Sequence, residues 1–210
     1  MSCLSLDRPV VGFLVLLFAG LRDHFLAARL PRFSAVHPKT QLRIVSSVWA
    51  DDHDTETFDL DIRYGFGKGT GFDADRLTWE RLIPMCMPEI AARIASAGDL
   101  AKERPLHVLA YQEGWATLLA TAGAIHVDPG PGLWFDTTPI ALEVAAQGGG
   151  MPLGRSSMLE RELASGRLVR PFELELPIDE GFFRVAPDMG PRHPDAAIFR
   201  DWLLAEATAV

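Results

Sequence analysis

The sequence predicts an α/β fold with a mostly parallel sheet. Three observations point to it. Strand-like and helix-like segments alternate along the chain. Residues 11–18 form a continuous apolar run, the pattern of a strand buried on both faces. The composition, 48% hydrophobic and 23% charged over 210 residues, is that of a globular protein and excludes a disordered or fibrous one. A chain of this length buries roughly 70% of its unfolded surface and needs no covalent staples.

Taken in order, the apolar run at 11–18 reads as a strand and is followed by a helical pattern through Phe25, Leu26, Leu30 and Phe33. That helix stops before Pro38, which disfavours helical geometry at His37. Leu42, Ile44 and Val45 read as a strand. Phe58, Leu60 and Ile62 alternate with Asp59, Asp61 and Arg63 as a second one. Glycines 65, 67, 69 and 71 open a loop. Residues 81–87 form a third strand, limited in its pairing by Pro84, and a helix follows at 89–96. His107–Leu109 is a short strand, and 114–122 a helix ended by Gly123. PGPGLWF leads from a loop into a strand, and a helix at 139–147 closes on three glycines. Strand-like 151–153, helical 157–164, strand-like 167–169 and 182–185, and a helix at 194–206 complete the alternation.

The formal net charge is −8, which argues against a chain that grips phosphate backbones by itself. Two cysteines, Cys3 and Cys86, form no CxxC pair and no disulfide scaffold, which suggests a reducing compartment. The apolar stretch 9–21 is shorter than the 18 or so residues that span a bilayer. It has the length of a signal-peptide core, but Asp7 cancels Arg8 where a positive flank is needed, so the preferred reading is a buried strand.

Catalytic motifs stand out nowhere. The six histidines fall at no HExxH or HxH spacing, and no Walker loop, GxSxG or GxGxxG is present. GFGKG at 65–69 lacks phosphate-loop spacing and reads as a turn. Asp51, Asp52, Asp54 and Glu56 lack the calcium-loop pattern and read as a solvated loop. No catalytic residue, metal site or cofactor is therefore expected. One feature carries binding physics. Thr137-Thr138-Pro139 precedes the apolar stretch IALEVAAQ, and proline at the first helical position places Thr138 at the N-cap. The free N–H groups of Ile140 and Ala141 then face a helix mouth suited to an anion. Simple capping with no ligand is the competing reading.

In order, the segments LAARLPRFSAVHPKTQLRI (26–44), FDLDIRYGFGKG (58–69), RLIPMCMPEI (81–90), WFDTTPIALEVAAQGGGMPLGRSSMLERELASGRLVRPF (134–172) and FRDWLLAE (199–206) resemble one family. They look like the effector-binding (substrate-binding) domain of LysR-type transcriptional regulators, in the subgroup of glycine-cleavage and β-lactamase activators. The resemblance spans residues 12–206. It implies a fold like that of type 2 periplasmic binding proteins, with two α/β lobes, a ligand cleft between them and two chain crossovers. Lobe I is expected to hold 1–85 and 186–210, lobe II 87–180, with the crossings near 83–88 and 180–186.

The resemblance further implies a non-enzymatic, cytoplasmic sensing domain. Its partners would be a small-molecule effector such as a carboxylate and further copies of itself in a homodimer or higher oligomer. DNA would be reached only through a separate winged helix-turn-helix domain, absent from this chain, and no membrane is involved. The chain is then expected to be a fragment or a truncated product. An exported solute-binding protein of the same fold is the alternative. Two departures concern the ligand. Gly20 stands where the family commonly has a hydroxyl residue, and Pro152 where a small strand residue is usual. Because the carboxyl ends of parallel strands line such clefts, the expected effector-binding residues are Ser46, Ser47, Arg63 and Gly65 from one lobe and Thr137 and Thr138 from the other. Arg63 competes with a surface ion pair to Asp59 or Asp61. Phe25 and Phe33 on the first helix are expected to form part of a pairing face, with burial in the lobe's own core as the competing reading.

Overall fold

The computed structural model describes residues 13–18, 25–47, 59–67, 72–109, 111, 113–187 and 193–208. Two five-stranded mixed sheets organise them. The first contains β1 (Phe13–Phe18), β2 (Leu42–Ser47), β3 (Leu60–Gly65), β4 (Phe72–Arg76) and, from the far end of the chain, β10 (Gly181–Pro187). Their order is β2-β1-β3-β10-β4. β1 lies parallel to both β2 and β3, and β10 is antiparallel to both β3 and β4. The apolar run thus becomes an interior strand, with Val15 fully buried, as a strand covered on both faces requires.

The second sheet is built the same way. It contains β5 (Arg81–Pro84), β6 (Pro105–Val108), β7 (Leu133–Phe135), β8 (Met151–Arg155) and β9 (Leu176–Pro177) in the order β7-β6-β8-β5-β9. β6 is parallel to β7 and β8, and β5 is antiparallel to β8 and β9. Pro84 is accommodated at the end of its strand, where one missing donor costs little.

Helices cover the sheets. In α1 (Ala27–Val36) and the turn before it, Phe25, Leu26, Arg29 and Phe33 turn inward at helical spacing. In α6 (Pro194–Thr208) Ala196, Phe199 and Leu203 do the same. Phe33 meets Phe199 edge to face with ring centroids 5.1 Å apart, and Trp202 lies 5.0 Å away. These residues form the core of the first sheet's layer together with Leu60, Ile62 and Phe182. α2 (Pro88–Ala91), α3 (Trp115–Thr121), α4 (Thr138–Ala146) and α5 (Glu160–Ser165) belong to the second half. There Trp115, Leu118 and Leu119 form one core cluster with Leu82 and Leu153, and Ala141, Leu142 and Ala145 pack on Ile83 and Leu106. Gly150, with φ +144°, turns the chain from α4 into β8; an added Cβ would meet the Arg104 carbonyl at 2.4 Å.

Several expectations change. The chain passes from the first sheet to the second over residues 77–80 and returns over 178–180, between β4 and β5 and between β9 and β10. The first passage precedes the expected 83–88, because Leu82, Ile83 and Pro84 already pair with Arg155, Gly154 and Leu153. Residues 81–85 therefore lie with the second half, and 181–185 with the first. β4 was concealed in sequence by its glycine-rich approach and its two aspartates. The expected helix at 89–96 is a single turn, because Asp99 accepts hydrogen bonds from the backbone N–H groups of Ala95 and Ser96 and starts a 3₁₀ helix at Ala97–Lys102. Residues 167–169 make one bridge, Val169 to Cys86. Phe25 and Phe33, expected on a pairing face, are both buried in the chain's own core. The acidic stretch 51–56 lies outside the described residues.

Candidate functional site

The two passages between the sheets run side by side. The N–H of Leu77 donates to the Phe182 carbonyl at 2.7 Å, and that of Ile178 donates to the Glu80 carbonyl at 3.1 Å. The N–H of Phe182 donates to the buried Thr78 hydroxyl at 3.0 Å. The Arg76 guanidinium reaches both passages, donating to the carbonyls of Thr78 at 3.1 Å and Asp179 at 2.7 Å. Glu80 is buried and its carboxylate is met by the Ser156 hydroxyl, the Ser157 N–H and the Ser157 hydroxyl at 3.1, 3.1 and 2.5 Å. Burying a carboxylate demands donors of this number.

Beside the passages, side chains of both sheets converge. Tyr64, next to the end of β3, packs edge-on against Tyr111, which follows β6, with centroids 4.8 Å apart. Arg155 ends β8 and is 2% exposed, as is Glu180 in the second passage. Its Nε donates to the Tyr64 hydroxyl at 3.1 Å, one Nη donates to the Glu113 carbonyl at 2.7 Å, and the same nitrogen lies 3.6 Å from the Glu180 carboxylate. The guanidinium carbon sits 3.4 Å from the centroid of the Tyr111 ring, a cation–π contact. The Tyr64 hydroxyl also donates to Glu180 at 3.2 Å. Burial holds the phenols of Tyr64 and Tyr111 well above the usual tyrosine range, so both stay neutral hydroxyls.

The expected site residues distribute as follows. Thr138 is fully buried, and its hydroxyl is 2.6 Å from that of Tyr111. It is the first residue of α4 rather than its N-cap. The cap position belongs to Thr137, extended at φ −136°, ψ 151°, half-buried and without a side-chain cap bond. The donors left over at this mouth are then the N–H groups of Thr138 and Ile140, since Pro139 has none and Ala141 is within reach of the Thr137 carbonyl. Gly65 ends β3 opposite Gly181, with φ +152° and open space where a Cβ would stand. Ser46 and Ser47 end β2; their side chains lie outside the described residues. Arg63 pairs with Asp61 at 2.5 Å on the strand's other face. Residues two apart share a face of a strand, so Arg63 goes with Asp61 while Tyr64 goes with Ile62 toward the core and the junction.

Sequence reasoning passed over Tyr64, Tyr111, Arg155 and Glu180. Tyr64 and Arg155 lie within the segments that carry the family resemblance, beside and at the end of their strands. Nothing in the sequence marked Tyr111 or Glu180.

Together these groups offer recognition: neutral hydroxyls, one guanidinium, one carboxylate and a helix mouth, drawn from both sheets. Among the described residues no cluster of histidine, cysteine, aspartate or glutamate could hold a metal ion, and no helix is long and apolar enough to cross a membrane.

Comparison with known proteins supplies a family. Residues 16–208 match the LysR substrate binding domain. The chain is 31% identical over 198 residues to the glycine cleavage system transcriptional activator of Escherichia coli K12, covering 93% of this chain and 65% of that protein. It is 32% identical over 183 residues to the transcriptional activator AmpR of Citrobacter koseri, covering 87% and 63%. The chain thus spans slightly under two thirds of these relatives. Among solved structures, the effector domain of AmpR from Pseudomonas aeruginosa superposes with a TM-score of 0.84 at 30% identity, covering 94% of this chain and 95% of that one. The AmpR effector binding domain from Citrobacter freundii gives 0.85 at 25% identity, covering 95% and 99%.

Proposed function

Since the chain belongs to the LysR substrate-binding domain family, we propose that it is the effector-sensing domain of a bacterial transcription regulator, and that a small molecule binds where its two sheets meet. The observation that carries this reading is the junction itself. Tyr64 from the first sheet, Tyr111 and Arg155 from the second and Glu180 from the returning passage share one polar network. A molecule that competes for any of these bonds changes how the two halves hold each other, which is what a sensor requires.

The ligand is a small acidic metabolite. Its carboxylate lies at the mouth of α4, accepting hydrogen bonds from Thr137, Thr138 and the free N–H groups, with Ser46, Ser47 and Gly65 contributing from the first sheet. Arg63 is held on its Asp61 pair, and Tyr64 takes the position next to Gly65. The whole protein works in the cytoplasm as a homodimer or higher oligomer and reads DNA through a separate helix-turn-helix domain. The kinship with transcriptional activators supports this reading over an exported receptor. The interior place of β1 adds to it, because removing residues 1–21 as a signal peptide would take out a strand paired on both edges.

The test is direct. The protein is purified, denatured and desalted, and the released small molecules are identified by mass spectrometry. The acid so found is titrated calorimetrically into wild type and Thr138→Val. Loss of a charge-assisted hydrogen bond, about 1.5–3 kcal/mol, weakens binding tenfold or more. Unchanged affinity in a folded variant would remove the assignment.

A further inference from the structure

One short segment of the second half reaches into the first. It follows β8 as a 3₁₀ turn, Ser156–Met158, and runs on into α5. Met158 is fully buried in the core cluster of the first sheet, with Val15, Phe25, Leu26 and Ile62. Leu159, the next residue, is as deeply buried, but in a core cluster of the second half with Ile83 and Leu106. Two consecutive side chains thus enter two different cores. The second of them is closely fitted: residue 154 is glycine, and a Cβ there would stand 2.4 Å from the Leu159 side chain.

The segment is anchored on both sides of this staple. Before it, Ser156 and Ser157 hold the Glu80 carboxylate of the first passage, and the Ser156 hydroxyl also accepts from the Arg81 N–H at 3.1 Å. After it, Glu160 lies 3.7 Å from the guanidinium of Arg29 in α1. Arg29 donates to the Phe25 carbonyl at 3.0 Å, and Glu206 of α6 lies 3.7 Å from its Nε. The Glu160 side chain is 75% exposed, so this pair guides the segment and adds little to its attachment. The seated Met158 side chain carries the attachment. Close-packed cores do not deform smoothly, so such a side chain is either seated or withdrawn. Methionine suits that role, being unbranched, flexible and able to fill irregular gaps.

We propose that residues 156–160 are a latch between the two halves. With Met158 seated, the halves are held as one body. With it withdrawn, they turn about the two passages. The inference goes beyond the effector reading, because Met158, Leu159, Glu160 and Arg29 are not among the residues proposed to hold a ligand.

The experiment measures backbone ¹H–¹⁵N residual dipolar couplings of the intact chain in a dilute aligning medium, with no ligand added. In wild type the couplings of both sheets fit one alignment tensor. In Met158→Ala each sheet still fits a tensor of its own, but the two tensors differ, because the halves keep their folds and lose their fixed arrangement. Met158→Leu, which keeps the volume, keeps the single tensor. Leu203→Ala removes a fully buried side chain from α6 in the same core and also keeps it, which separates loss of the latch from loss of core packing. A single tensor in folded Met158→Ala would overturn the proposal, and so would separate tensors in wild type or in Leu203→Ala. If Met158→Ala does not fold, Met158→Val is read in its place. Failure of both to fold would make Met158 an ordinary core residue and overturn the proposal as well. No ligand enters the experiment, so its outcome is independent of the binding test at Thr138.

Discussion

Arg155 donates its Nε proton to the hydroxyl of Tyr64 at 3.1 Å, and by that bond the second sheet is tied to the first. Arg155 closes β8, and Tyr64 stands one residue before the end of β3. Arg155 also pairs with the buried carboxylate of Glu180, 3.6 Å away. The pair need not be a large source of net stability, since desolvating two charges offsets most of their attraction, but breaking it strands a charge.

Arg155→Met therefore destabilises the fold by about 3–5 kcal/mol, the cost of removing one member of a buried ion pair. At about 2–4 °C per kcal/mol for a chain of this size, the thermal midpoint falls by about 6–20 °C. Arg155→Met combined with Glu180→Gln recovers most of the loss. Thermal unfolding followed by circular dichroism measures both, and a double variant no more stable than Arg155→Met would show that the ion pair is not the cause.

The hydroxyls of Tyr111 and Thr138, 2.6 Å apart, predict coupling between two positions far apart in sequence. Tyr111→Phe and Thr138→Val each remove this hydrogen bond and cost about 1–3 kcal/mol apiece. The double variant costs less than their sum by about 0.5–1.5 kcal/mol. Denaturant unfolding of the four proteins completes the cycle, and strict additivity would mean that the bond does not form.

Burial holds the imidazole of His107 below the usual histidine range. The unfolded chain then takes up this proton first as the pH drops. The stability that His107 contributes is fully present above the unfolded value near 6.5 and is lost as the pH falls below it toward the native value. His107→Phe, which keeps a ring against Trp134, accordingly loses less stability than wild type between pH 7 and pH 5. Equal slopes for the two proteins over that interval would contradict it.

Much of the fold was legible because its strands are simple. The apolar run became β1, the alternation around Leu60 and Ile62 became β3, and the proline after two threonines opened α4, one residue early. What escaped was context. β4 forms because β10, more than a hundred residues away, offers it a partner from Pro187 to Phe183, and no local pattern encodes that. The site divides in the same way. Thr138 was legible as a helix-mouth residue. Arg63 drew attention as a charge, yet strand alternation gives it to Asp61 and gives the junction to its neighbour Tyr64. Glu180 is a core residue only because the two passages lie together, a property of the path of the chain.

The central claim, that a small molecule binds where the two sheets meet, is tested most directly by a ¹H–¹⁵N spectrum of the labelled protein titrated with the acid released on denaturation. The account predicts saturable shifts in the amides of Tyr64, Gly65, Tyr111, Thr137 and Thr138, from both sheets at once. Saturable binding with those amides unmoved, and shifts confined to α6 or to the outer strand β4, would contradict it.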